Sequence, residues 1–256
     1  MGFPLLRKRA PLGLRKKKKH SLNIKTCLVR KTLINLRCIL NNKKIIAFSL
    51  WGENPVYNVG ATKNAELAKE IYPDWICRYY LGKSVPFETI QELTKFDNTE
   101  IFIMNEPGNW AGMFWRFYPA SDLDVNVMIS RDTDSRLNWR EKAAVDEWLA
   151  SDKDFHIMRD HPQHATEIMG GMWGVRNNLL PNMVSMINDY VKGDFWQVDQ
   201  NFLKEKAYPA IINNRLVHDE YFEKKSFPTQ REPKRFVGQA FNEKDEMLHP
   251  EHAEML

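Results

Sequence analysis

The chain has 256 residues, of which 43% are hydrophobic, 27% charged and 12% aromatic, an ordinary globular composition for one sizeable domain or two small ones. No apolar run is long enough to cross a bilayer and none follows the basic N-terminal residues, so neither a transmembrane segment nor a secretory signal is expected. Three scattered cysteines, Cys27, Cys38 and Cys77, exclude a disulfide framework and a zinc ribbon and suit a reducing, cytoplasmic setting.

The net charge of +4 is uneven: fourteen Lys and Arg and no acidic residue precede Glu53, leaving 23 basic against 33 acidic residues and a net of −10 for the rest. Residues 1–43 therefore read as a basic, disordered extension. Its run Arg7 to His20 could meet nucleic acid or an anionic surface, or act as a targeting leader.

From Lys44 the pattern changes. Lys44 to Gly52 reads as a buried strand ending at a turn. Asn64 to Tyr72 has helical apolar spacing and stops at Pro73. Trp75 to Gly82 is a second strand and Pro86 to Phe96 a short helix with Pro at its start. Glu100 to Asn105 is a third strand, Asn109 to Ala120 a helix, and Asp124 to Ser130 a fourth strand. Asn138 to Ser151 is a helix with a capping-box variant at Asn138 and Glu141, and Asp154 to Asp160 a fifth strand. After Pro162 the pattern becomes irregular. Strands alternating with helices predict an α/β domain over 44–240, a Rossmann-like, mostly parallel central sheet flanked by helices, followed by a polar tail over 241–256. Ligands of such sheets sit beyond the carboxyl ends of the strands.

Asp132 and Asp134 follow the fourth strand. Residues i and i+2 of an extended chain share a side, so both carboxylates can converge on one ligand. Their repulsion is relieved by a hard cation, Mn²⁺ or Mg²⁺, which completes its shell with water and phosphate oxygens. The neighbouring Arg131, Arg136 and Arg140 add to that charge balance and point to a phosphate-bearing ligand. A surface loop in which the aspartates pair with Arg131 and Arg136 is the bland alternative. A zinc site of His156, His161 and His164 matches none of the strong zinc spacings. Trp110, Trp115, Trp148 and Trp173 read mostly as core, with Trp173 placed to stack on a sugar ring. Glu53 and Glu106 fall at strand ends, where they could line the cleft.

The stretch "SRDTDSRLNWREKAAVDEWLAS" resembles the D-x-D segment of metal-dependent glycosyltransferases of the GT-A fold, most closely sugar transferases of bacterial capsular-polysaccharide clusters and large algal viruses. "FSLWGENPVYNVGATKNAELAKEIYPDW", "FWRFYPASD", "FHIMRDHPQHATEIMGGMWG", "DQNFL" and "RFVGQAFNE" extend the likeness over most of the body. The resemblance implies a GT-A-like domain that transfers sugar from a UDP- or GDP-linked donor to a hydroxyl of a glycan, polysaccharide or glycoprotein. It implies that Asp134 ligates the metal, that Asp132 contacts the metal or ribose, and that His218 is a third metal ligand. Ser49, Leu50, Trp51 and Gly52, with Tyr57, would cradle the nucleoside, and Arg78 and Arg116 would meet base or diphosphate. Gly170 and Gly171 would let backbone approach the donor sugar. Asp199 would hold a sugar, and in an inverting enzyme Asp199 or Asp160 would be the base. Two alternatives stay open: a catalytically silent nucleotide- or glycan-binding module, and a sugar nucleotidyltransferase, for which no glycine-rich triphosphate loop is present.

Overall fold

The computed structural model of the chain describes residues 43–256 apart from residues 177, 178, 191 and 192. The basic run Arg7 to His20, with its expected anionic partners, lies outside the described residues. Within them the strands β1 (Lys43–Leu50), β2 (Ile76–Leu81), β3 (Thr99–Ile103), β4 (Val125–Ser130), β5 (Phe155–Arg159), β6 (Trp173–Arg176) and β7 (Arg215–Asp219) form one sheet. Its order is β3-β2-β1-β4-β6-β5-β7. β6 runs antiparallel to both neighbours, and every other pairing is parallel.

The sheet is covered on both faces, as the continuous apolar runs of β1 and β4 require. Along β1 the pleat sends Ile45 and Ala47 into one core and Ile46, Phe48 and Leu50 into the other. The second core is closed by helix α1 (Pro55–Ile71), through Ala61, Ala65, Ala68 and Ile71, and by helix α3 (Trp139–Ala150), through Val145 and Trp148. A short helix α2 (Phe87–Thr94) covers the same side with Leu93. The first core is closed by a 3-10 helix over Trp110–Ser121, by helix α4 (Met183–Asp189), and by a helical stretch from Val198 to Ile211. That stretch comprises α5 (Val198–Phe202), a π-helical turn (Leu203–Ala207) and α6 (Tyr208–Ile211).

Helix α1 begins nine residues before the expected start at Asn64, at Pro55 behind an Asn54 cap whose side chain accepts from the Val56 amide at 3.0 Å. Its buried face is built from Asn58, Gly60, Ala61, Asn64, Ala65 and Ala68, small residues that leave no apolar stripe in the sequence. The smallness has a purpose: a Cβ on Gly60 would run into the carbonyl of Thr133. The expected helix over Asn109 to Ala120 is present as the 3-10 helix, and β6 and β7 arise in the stretch read as irregular. β6 has only four residues, and β7 carries Arg215, His218 and Asp219, so neither shows a run of apolar positions. Residues 241–256, read from the sequence as a polar tail, join the same body. Phe241 donates its amide to the Asp134 carbonyl at 2.8 Å, and helix α7 (Pro250–Ala253) buries Ala253.

Candidate active site

A cleft of about 670 Å³ opens beyond the carboxyl ends of β1 and β4. β1 delivers Ser49 and Leu50 to it, and the following turn delivers Trp51 and Gly52. Gly52 has φ 74°, a conformation that costs a side-chain-bearing residue. The turn is pinned from both sides: the Gly52 amide donates to Ser84 Oγ at 2.8 Å, and Asn58 Nδ2 donates to the Gly52 carbonyl at 3.1 Å. Tyr57, from the first turn of α1, completes this wall with 41% of its surface exposed.

Arg116 enters from the 3-10 helix, oriented by its amide donating to Ser49 Oγ at 3.0 Å. Its guanidinium bridges two carboxylates, pairing Nη1 with Asp132 and Nη2 with Asp199 at 2.9 Å. Burial works against the Arg116 charge, and the two carboxylates outweigh it. The same burial raises the Asp199 carboxyl above its ordinary range while Arg116 pulls it back. Gly170 and Gly171 press on this trio from β6's approach: a Cβ on Gly170 would meet Asp199 and Arg116, and one on Gly171 would meet Asp132.

Asp134 stands differently. Among the described residues no ion pair reaches its carboxylate, and burial together with the Asp132 charge pushes its pKa up to about 7. Tyr57 is close enough that Asp134 and Asp132 help raise its own pKa, after burial. The loop that carries the two aspartates is held through its backbone. Asn64 of α1 donates to the Ser135 carbonyl at 2.9 Å and accepts from the Leu137 amide at 3.0 Å. Arg136 Nη1 donates to the carbonyls of Thr133, Asp134 and Ser135 at 3.3, 3.3 and 3.0 Å, while its Nε holds Asp245 at 2.9 Å.

The cleft thus gathers Ser49, Leu50, Trp51, Gly52, Tyr57, Arg116, Asp132, Asp134, Gly170 and Asp199, with Gly171 behind Asp132. Three expected members are elsewhere. Arg78 is buried between Glu100, at 2.8 Å, and Asp122, beside Lys43 and Asp124 at the amino ends of β1 and β4. Asp160 is fully buried and saturated by Arg140 at 2.9 Å, Arg231 at 2.6 Å and the Val237 amide at 3.0 Å. His218 lies in β7 with its Nδ1 2.8 Å from His156 Nε2 and its Nε2 3.6 Å from Glu147. Asp160 and His218 are taken up by partners within the body, and Arg78 by acidic residues at the opposite end of the sheet, so none of the three faces the cleft.

The three arginines beside the aspartates also diverge. Arg131 points inward to Glu141 at 3.1 Å, Arg136 braces the loop, and Arg140 braces Asp160. The chain turns into α3 between them, which sends neighbours in sequence to different sides, and the cleft's guanidinium comes instead from Arg116. Trp173 is fully buried, stacked on Phe155 at 5.3 Å, so its ring does not reach a ligand. His156, His161 and His164 do not converge either: they engage His218, the His252 carbonyl and the Asp160 amide respectively.

Trp110, Asp194, Trp196 and Gln200 line the cleft without having been expected there. Trp110 is 40% and Trp196 64% exposed. For Asp194 and Trp196 the available signal was an acid and a Trp two residues apart just ahead of "VDQNFL", in a stretch with neither helical nor strand periodicity.

The fold, a mostly parallel seven-stranded sheet flanked by helices, matches that of glycosyltransferases of the GT-A class. Among solved structures the chain is similar to a glycosyltransferase involved in the glycosylation of the major capsid of PBCV-1, at 16% identity and a TM-score of 0.50, over 84% of this chain and 100% of that one. It is also similar to the mannosyltransferase PcManGT from Pyrobaculum calidifontis in complex with GDP-Man and Mn²⁺, at 11% identity and a TM-score of 0.49, over 70% of this chain and 55% of that one. A third is S. aureus TarS 1–349 in complex with UDP-GlcNAc, at 14% identity and a TM-score of 0.48, over 75% of this chain and 59% of that one. At such identities the likeness is one of fold. No family model matches the chain, and no curated protein matches it.

Proposed function

We propose that the protein transfers a sugar from a UDP- or GDP-linked donor to a hydroxyl of a glycan or protein acceptor, with a divalent metal. The observation that carries this reading is Asp134: a half-buried carboxylate that no ion pair reaches among the described residues, beside Asp132, in a cleft shared with Arg116. A carboxylate that burial and a neighbouring carboxylate push toward neutrality, with Arg116 and Arg136 offsetting this only in part, is one that a bound cation stabilises. Two carboxylate oxygens suit Mn²⁺ or Mg²⁺, whose other positions go to water and phosphate oxygens, so the donor set fits without His218.

In this reading Asp134 and Asp132 hold the ion, which when bound supplies charge neutralisation for the leaving nucleoside diphosphate. Arg116 is a second cation at the same place and can turn from Asp132 to phosphate. Ser49 to Gly52 and Tyr57 receive the nucleoside. Gly170 borders the cleft beside Asp199, and the missing side chains of Gly170 and Gly171 let Asp199, Arg116 and Asp132 stand close together where the donor sugar would lie. The buried Asp199, with its raised pKa, is the acid–base candidate or the sugar-positioning group. Trp196 and Trp110 offer exposed rings on which a sugar face can stack.

The experiment is nucleoside diphosphate release in Mn²⁺ across a panel of UDP- and GDP-sugars with simple glycoside acceptors. Metal-dependent release that vanishes in Asp134→Ala supports the proposal. Unchanged metal sensitivity of UDP or GDP binding in Asp134→Ala sinks the metal assignment. Silence with every donor, together with metal-dependent UDP or GDP binding, would favour a catalytically silent nucleotide-binding module. Release of pyrophosphate instead would identify a nucleotidyltransferase.

A further inference from the structure

Helix α7 and the residue that caps it carry a different kind of ligand set, outside the cleft. His249, Glu251 and His252 fall within four consecutive residues, and one ligand atom from each lies within 4.8 Å of the others. His249 Nδ1 stands 3.2 Å from Glu251 Oε1. That separation is close to the edge of roughly 3.3 Å expected between two ligands of a tetrahedral ion bound at about 2.0–2.1 Å. The imidazoles of His249 and His252 lie face to face with ring centroids 4.8 Å apart.

The backbone beneath these side chains is already placed. Pro250 sits between the ligands at the first position of the helix and restricts its φ. His161 Nδ1 accepts from the Gln163 amide at 3.1 Å, so its Nε2 carries the proton and donates to the His252 carbonyl at 2.9 Å. Ala253, the next residue, is buried. The side chains of His249, Glu251 and His252 close on an ion by small rotations from ligand-atom separations within 4.8 Å, and a fourth position stays open to water.

We propose that His249, Glu251 and His252 form a second metal site, for a borderline-soft divalent ion such as Zn²⁺. Two imidazoles and one carboxylate suit Zn²⁺, whereas oxygen-only sets suit Mg²⁺ and Mn²⁺, so this site and the Asp132–Asp134 pair select different metals. Binding here ties α7 more firmly to the His161 loop, because a metal that recognises the folded arrangement stabilises it by mass action.

The test is calorimetric titration of the full-length chain with Zn²⁺ for wild type, His249→Ala/His252→Ala and Asp134→Asn. The double variant should bind one equivalent fewer than wild type, and Asp134→Asn should keep that equivalent. Glu251→Gln, which preserves shape, should weaken it about tenfold or more. Histidine ring NMR signals supply an independent readout: Zn²⁺ should move those of His249 and His252, with far-UV circular dichroism of the double variant unchanged. Equal stoichiometry and affinity in wild type and double variant would overturn the proposal. So would Zn²⁺-induced shifts confined to other histidines.

Discussion

Arg116 and Asp199 meet through a 2.9 Å hydrogen bond between two buried side chains 83 positions apart in sequence. The same guanidinium holds Asp132, so one residue of the 3-10 helix joins the aspartate loop after β4 to the first turn of α5. Removing it leaves Asp199 buried without its counter-charge.

Arg116→Ala should therefore destabilise the protein by about 3–5 kcal/mol, the range for breaking one side of a buried pair. Asp199→Asn should cost less, because the charge left behind still has Asp132. Urea unfolding of both variants measures the difference, and equal midpoints would show that Asp132 does not compensate Arg116 once Asp199 is neutral.

Burial and the neighbouring Asp132 raise the Asp134 carboxyl from its ordinary value of about 4 to about 7. Between these values the folded state holds a proton that the unfolded chain has released. The Asp134 contribution therefore lowers stability as pH rises from about 4 to about 7 and is level above. Asp134→Asn should be more stable relative to wild type at pH 7.5 than at pH 4, and saturating Mn²⁺ should narrow that gap. Metal affinity should rise with pH, by up to about tenfold per unit, and flatten above about pH 7. A titration with no pH dependence would remove Asp134 from the ligand set.

Two buried imidazoles act in the opposite sense. Burial lowers His156 well below its ordinary pKa and holds His164 at about 3. Both must stay neutral in the fold, so their stability contribution is present above about pH 6.5 and is lost as pH falls below it. His164→Asn should shift the acid-unfolding midpoint to lower pH, read by circular dichroism, provided the variant keeps native melting at pH 8.

Gly60 tests the contact between α1 and the aspartate loop. In an exposed helix, replacing Gly with Ala adds about 1 kcal/mol of stability. Here the new methyl would strike the Thr133 carbonyl and Arg136, and overpacking costs about 1–3 kcal/mol. Gly60→Ala should be net destabilising and should weaken metal-dependent nucleotide binding. A gain in stability would mean that the loop yields freely.

Arg136→Ala removes a donor shared by three loop carbonyls and an ion pair to the exposed Asp245. The exposed pair itself contributes at most about 1 kcal/mol, so global stability should fall little. The Mn²⁺ concentration for half-maximal activity should rise several-fold, with Arg136→Lys intermediate.

Five strands and the alternation that makes the sheet parallel could be read from the sequence, because apolar runs such as Ile45 to Leu50 have only one stable place, inside a sheet covered on both faces. The aspartate pair after β4 could be read too, since strand ends and i, i+2 geometry are local properties. What local pattern could not show was which cations face those aspartates. Arg131, Arg136 and Arg140 adjoin them in sequence, yet the turn into α3 carries each to a different partner, and Arg116 arrives from another element altogether. The same holds for His218 and Asp160, taken up by partners inside the body, for Arg78, paired with Glu100 and Asp122 away from the cleft, and for Trp196, which only the folded approach of α5 brings to the cleft. Periodicity and strand ends are set by neighbours along the chain, whereas charge pairing is set by neighbours in space, and that second set exists only once the layers have packed.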